Sequence, residues 1–140
     1  MIEYPAKISF DKHEQSYNVE FPDLPGCFTY GETLEEAIEH GKEALSGFLE
    51  SLDQRMLELP EASTLKGKNI HYITPDKNVA FALLLKLKRQ KSGMTQQQVA
   101  KVLKISYQTY QRFENPAKSN PTLKTIEKLE KVLEEPLIKL

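Results

Sequence analysis

Residues 95–114, TQQQVAKVLKISYQTYQRFE, constrain this chain more than any other stretch. They read as two short amphipathic helices joined by a tight turn. Thr95, followed three residues on by Gln98, forms a capping box, in which each side chain satisfies a backbone N–H that a first helical turn leaves unpaired. Val99, Ala100 and Leu103 form the inner face of the helix that follows. A second helix begins at Ser106, with Tyr110 and Phe113 directed to the core. Ala100 has to be small where the two helices cross, and Ile105 plugs the turn.

That inward assignment leaves Tyr107, Gln108, Gln111 and Arg112 on the outer face of the second helix, just after Ser106. Gln can pair in two places with adenine and Arg with guanine, so the pair has the makings of a helix-turn-helix whose second helix enters the major groove. Gln96, at the start of the supporting helix, could set its amide and the helix's positive end against a phosphate. Lys118 is a further phosphate contact by type. The plain alternative is a packing unit whose polar face is solvated.

The flanks extend the helical pattern. Residues 79–92 form a helix with Ala80, Leu83, Leu84 and Leu87 inward, and Gly93 is placed as its C-cap, where the left-handed conformation favours glycine. Pro121-Thr122 opens a last helix with Leu123, Ile126, Leu129 and Leu133 inward, and Pro136 ends it. The tail Leu137-Ile138-Lys139-Leu140 is apolar enough to pack, across a dimer for example. Residues from about 83 to 135 resemble the Cro/C1 (Xre-type) helix-turn-helix family. The resemblance is carried by Leu87-Lys88, Met94-Thr95-Gln96-Gln97, Val99-Ala100, Ile105-Ser106 and Phe113-Glu114-Asn115 followed by Pro121. Two positions depart from it. Lys104 stands at the usual turn glycine, which costs up to about 1 kcal/mol if the site is left-handed, and Pro116 stands where the family often has Gly.

The first half follows a different period. Tyr4, Ala6, Ile8 and Phe10 alternate with polar or small residues, and Tyr17, Val19 and Phe21 alternate after a polar turn, which predicts a β-hairpin. Pro22-Asp23-Leu24-Pro25-Gly26 is turn chemistry, and residues 27–30 make a short third strand ended by Gly31. Thr33 with Glu36 forms a second capping box. It opens a helix whose apolar stripe is Leu34, Ala37, Ile38, Gly41, Ala44, Leu45, Phe48, Leu49 and Leu52. Gly41 and Gly47 are weak helix formers, so close packing on the sheet is expected at both. Residues 53–69 read as a loop and residues 70–74 as a fourth strand, with the domain boundary at Pro75-Asp76. The expected organisation is an α+β domain over residues 1–75 in the order βββαβ and an all-α domain over residues 76–140.

Charge divides at the same boundary. Residues 1–75 carry 6 Lys/Arg against 14 Asp/Glu, a net −8, and residues 76–140 carry 13 against 6, a net +7. The basic half suits a phosphate backbone and the acidic half a basic protein. A single cysteine, Cys27, forms no internal disulfide, and neither a signal peptide nor a long apolar span is apparent, so a cytoplasmic setting is expected. Metal-dependent nuclease chemistry needs clustered carboxylates. Asp11, Glu20 and Asp23 are candidates by type, but no spacing forces them together. His13, His40 and His71 are scattered and offer no metal-ligand spacing, so no metal, cofactor or catalytic residue is assigned.

The order of elements, with Phe21-Pro22-Asp23-Leu24-Pro25-Gly26-Cys27, Gly31-Glu32-Thr33, Glu36-Ala37 and the later Leu59-Pro60-Glu61-Ala62-Ser63, resembles the HicB antitoxin family over about the first 75 residues. The resemblance implies a shortened RNase-H-like fold and a partner, a small basic HicA-like toxin that cleaves mRNA. Some members of the family carry a C-terminal helix-turn-helix. The expected function is that of a type II antitoxin: the first domain neutralises the toxin, and the second binds double-stranded operator DNA and represses the operon. Phe21, Asp23, Leu24 and Phe28, beside a sheet edge, are the toxin-contact candidates, with a turn packed on its own domain as the equal alternative. One helix-turn-helix reads only a few base pairs, so a homodimer is expected, with recognition helices about 34 Å apart and higher oligomers open. The alternatives are a stand-alone transcription regulator whose first domain senses a ligand, and a DNA-targeted nuclease.

Overall fold

The computed structural model describes residues 2–138. The backbone divides into two compact units, Ile2–Asp76 and a second that begins at Lys77.

The first unit contains β1 (Tyr4–Asp11), β2 (Ser16–Glu20), β3 (Phe28–Gly31), α1 (Leu34–Gln54) and β4 (Ile70–Ile73). The strands form one antiparallel sheet in the order β3-β2-β1-β4. Central β1 buries Tyr4, Ala6 and Ile8 as the alternation predicts, whereas Phe10, near the strand's end, stays largely exposed and meets Tyr17 edge-on with ring centroids 5.0 Å apart. The hairpin turns on Asp11, whose carboxylate accepts the N–H groups of His13 and Glu14 at 2.8 and 3.2 Å.

Helix α1 packs on one face of this sheet through Ala37, Gly41, Leu45, Leu49 and Leu52. A Cβ on Gly41 would stand 2.9 Å from Ile73 Cδ1 and 3.4 Å from Val19 Cγ1, so the helix sits too close for a side chain. Gly47 has no such reason, because a Cβ there would meet nothing within 4 Å. Leu34 is exposed as well, and the buried stripe starts one turn later, at Ala37. The cap of α1 is half the expected box: Thr33 Oγ1 accepts the Glu36 N–H at 3.0 Å, but the Glu36 carboxylate reaches past Thr33 to the Glu32 N–H at 3.3 Å.

The stretch between α1 and β4 is irregular but anchored. Tyr4 Oη donates to the Pro60 carbonyl at 2.6 Å, and Ser63 donates its N–H and hydroxyl to the Asp23 carboxylate at 2.8 and 2.5 Å. Tyr72 Oη accepts the Leu65 N–H and donates to the Leu65 carbonyl, both at 2.8 Å.

The second unit contains α2 (Lys77–Ser92), α3 (Gln96–Leu103), α4 (Tyr107–Phe113) and α5 (Leu123–Leu133). Phe81, Leu85, Val99, Ala100, Tyr110, Ile126, Leu129, Leu133 and Leu137 form its core. Two leucines expected inside lie outside: Leu87 is 45 % exposed and Leu123, in the first turn of α5, is 70 % exposed. Leu83 is buried as expected, while the row of α2 that enters this core runs Phe81, Leu85, Arg89, at intervals of four residues. The charged third member hides the stripe in the sequence. Gly93 takes φ +79°, as its capping position requires. Leu137 packs into this core and Ile138 against it; Lys139 and Leu140, the end of the apolar tail, lie outside the described residues.

Candidate nucleic-acid interface

The α3–α4 pair is built from caps inward. Thr95 Oγ1 accepts the Gln98 N–H at 3.1 Å and Gln98 Oε1 accepts the Thr95 N–H at 2.9 Å, so this capping box is complete. Lys104 ends α3 at φ 59°, ψ 41°, and the Ile105 N–H donates to the Ala100 carbonyl at 3.1 Å. The left-handed turn is therefore present without its glycine, at a cost of about 1 kcal/mol. Ser106 caps α4: its hydroxyl accepts the Thr109 N–H at 3.1 Å and donates to Thr109 Oγ1 at 2.8 Å.

Tyr110 is fully buried and meets Phe113 edge-on at 6.1 Å, which fixes the roll of α4 about its own axis. Tyr107, Gln108, Gln111 and Arg112 are consequently exposed together, and Lys118 is exposed after the helix. Of the remaining DNA-contact candidates, Ser106 is occupied as a cap. Gln96 is engaged at both ends of its amide: Nε2 donates to Glu114 Oε1 at 3.0 Å, and Oε1 accepts from Tyr107 Oη at 3.3 Å.

Sequence reasoning passed over the residue that organises this unit. Glu114 is buried and accepts from Arg89 Nε at 2.6 Å, Arg89 Nη2 at 3.0 Å, Gln96 Nε2 at 3.0 Å and Tyr110 Oη at 2.5 Å. Arg89 Nη1 also donates to the Met94 carbonyl at 3.0 Å. The bond to Glu114 raises the guanidinium's pKa, so Arg89 stays charged. Burial, then the Glu114 bond, raises the Tyr110 pKa, so its phenol remains a donor. One carboxylate thus links α2, α3 and α4. The available signal was a Glu four residues after a core Tyr, at a helix end, in a half of the chain otherwise poor in acid.

In the first unit, the four toxin-contact candidates divide. Phe21 and Leu24 are buried, and Asp23 is tied to Ser63, while Phe28 is 73 % exposed. The turn between β2 and β3 folds Phe21 and Leu24 inward through the bonds Leu24 N–H to Phe21 O and Cys27 N–H to Leu24 O, both 2.9 Å. These two side chains are therefore plugs for their own core and present no surface to a partner. The carboxylates weighed for a nuclease centre go elsewhere: Asp11 to its turn, Glu20 opposite Lys7 across the strands, Asp23 to Ser63. Among the described residues no group of three or more His, Cys, Asp or Glu could hold a metal ion. Cys27 is buried, which pushes its thiol up to about 11. His40 Nδ1 lies 2.7 Å from the Tyr30 carbonyl, and this bond, aided by Glu36, Glu43 and Glu39, raises its pKa. Among the described residues no helix is long and apolar enough to cross a membrane.

Residues 4–120 match the model of a family described as HicB-like antitoxin of bacterial toxin–antitoxin systems. Antitoxin HicB of Escherichia coli is 33 % identical over 102 residues, 71 % of each chain. A 14.9 kDa protein from the rep–hol intergenic region of Haemophilus phage HP1 is 40 % identical over 63 residues, 45 % of this chain and 46 % of that protein, so the chain spans about half of that relative. Among solved structures, the N-terminal domain of Burkholderia pseudomallei antitoxin HicB is 27 % identical, with a TM-score of 0.47, over 54 % of this chain and 99 % of that one. The family is one of antitoxins rather than enzymes. On the extent of these matches, the chain belongs to the HicB-like antitoxin family of bacterial toxin–antitoxin systems.

Proposed function

We propose that this antitoxin works through both units. The acidic first unit binds and neutralises a small basic RNA-cleaving toxin. The basic second unit is a helix-turn-helix that binds operator DNA as a homodimer and represses transcription of the pair. The observation that carries the DNA-binding part is the roll of α4: Tyr110 buried, with Tyr107, Gln108, Gln111 and Arg112 exposed together, in a half of the chain with net charge +7. Side chains of this kind read base edges, and the surrounding lysines supply the salt-dependent attraction to phosphate.

The test is a salt titration of binding to DNA from immediately upstream of the chain's own gene, set against unrelated DNA. Arg112→Ala should cost about 1–3 kcal/mol on the specific sequence and narrow its margin over unrelated DNA. Lys118→Ala should weaken both alike and lower the salt slope by about one. Unchanged affinity and specificity in Arg112→Ala would show that α4 is not the reading helix.

A further inference from the structure

The sheet of the first unit has one face covered by α1 and one that is not. Val19 and Thr29 are cross-strand partners on the covered side, so Phe28 and Tyr30, their neighbours along β3, lie on the other, where Tyr30 faces Asn18 and Phe28 faces Glu20. Both aromatics are prominent on this edge strand, 73 % and 62 % exposed. Tyr30 stands between two open concavities. One runs to α1 and is lined by Glu32, Glu36 and Glu43; the other runs to the hairpin and is lined by Glu14 and Glu32. Exposed aromatics at an edge strand are a liability unless a partner covers them.

Two features select the partner. His40 occupies the carbonyl of Tyr30 at 2.7 Å, so strand addition along β3 is obstructed there and contact must be made through side chains. A second copy would set the same carboxylates against each other in a half of the chain with net charge −8, which disfavours self-pairing. Carboxylates that line the same concavities as Tyr30 favour cationic side chains, which pair with them while their apolar stems pack on the exposed aromatics. We propose that this β3 edge, centred on Tyr30 and Phe28 and flanked by Glu20, Glu32, Glu36 and Glu43, is the surface that receives arginine and lysine side chains of the toxin. This rests on the antitoxin reading above and adds the surface to it.

The test measures binding of the full chain to the toxin of the same pair, made with an inactivating substitution so that it can be produced alone. Phe28→Ser with Tyr30→Ser should weaken binding by about 30-fold or more. Glu32→Lys with Glu43→Lys should slow association by about tenfold at low salt and flatten its salt dependence. Glu58→Lys with Glu61→Lys, an equal charge change in the exposed loop, should leave the dissociation constant within about threefold. The surface is overturned if the aromatic variant keeps the wild-type melting temperature and binds within about twofold of wild type. It is overturned equally if the loop pair slows association as much as Glu32→Lys with Glu43→Lys. If the wild-type chain itself does not bind the toxin, the antitoxin reading fails and the surface with it, an outcome distinct from either of the others.

Discussion

Replacing Glu114 by alanine should be among the most damaging single substitutions in the second unit. The carboxylate is 4 % exposed and accepts four hydrogen bonds, two from the Arg89 fork and one each from Gln96 and Tyr110. Its removal leaves a guanidinium with a side chain only 12 % exposed facing a void, still donating to the Met94 carbonyl. Stripping one partner from a buried ion pair typically costs about 3–5 kcal/mol, and the orphaned Tyr110 hydroxyl keeps the figure toward the upper end. Against a total stability of about 5–15 kcal/mol for a domain, the unit is brought close to unfolding. Hydrogen exchange on the full chain, read on peptides from α2, α3 and α4, separates this unit from the first. Protection there should fall by about two to four orders of magnitude, while β1, β2 and α1 keep theirs. Arg89→Met and Tyr110→Phe, added to Glu114→Leu, should recover much of the loss, because an apolar replacement of the whole group leaves no charge behind. A loss below about 1 kcal/mol in Glu114→Ala, or no recovery in the triple variant, would refute the view that a desolvated charge pair holds these helices together.

Lys104→Gly should raise stability by about 0.5–1 kcal/mol, read by urea unfolding, since the left-handed site then carries no Cβ; the gain is reduced by glycine's greater freedom when unfolded. Cys27, buried and with its thiol pushed up to about 11, should resist a thiol reagent at about pH 8 in the native chain and react once the chain is unfolded. His40 should titrate above the ordinary value of 6.5 by NMR. Its folded pKa is raised, so its contribution to stability is complete below the unfolded value and is lost as pH rises through the folded one. The melting-temperature gap between wild type and His40→Gln should therefore be wider at about pH 5.5 than at about pH 8.5.

Which parts of the fold could be read from the sequence follows from where burial and polarity agree. Strand β1 announces itself because its inward positions are apolar and its neighbours mostly polar, and α5 shows Ile126, Leu129 and Leu133 for the same reason. Caps are legible because they are local: Thr95 with Gln98, Ser106, Thr122 and Gly93 each depend on residues within four positions. The misreadings arise where a tertiary partner overrides the pattern. Arg89 lies inward because Glu114 neutralises it, so the inward row of α2 looks broken and Leu87 takes its place in the count. Of the two readings open for the turn after β2, packing on its own domain holds for Phe21, the last apolar position of the second strand's alternation, and for Leu24, which no local pattern marks as inward.

The same distinction bears on the side chains proposed to read DNA. Residue type alone puts Gln96, Ser106, Tyr107, Gln108, Gln111, Arg112 and Lys118 on equal terms, and exposure sets apart only the half-buried Gln96. Hydrogen bonding separates them. Ser106 is held by Thr109, and Gln96 joins Tyr107 to Glu114, so these three polar groups already serve the scaffold. A bond to a base from Gln96 or Tyr107 would first have to displace an internal one, and the net gain would be correspondingly small. Gln108, Gln111 and Arg112 project from a helix whose roll is fixed by Tyr110, while Lys118 follows it. If α4 enters the major groove, base discrimination therefore falls to Gln108, Gln111 and Arg112. Gln96 and Tyr107 act on it indirectly, by holding the first turn of α4 to the start of α3.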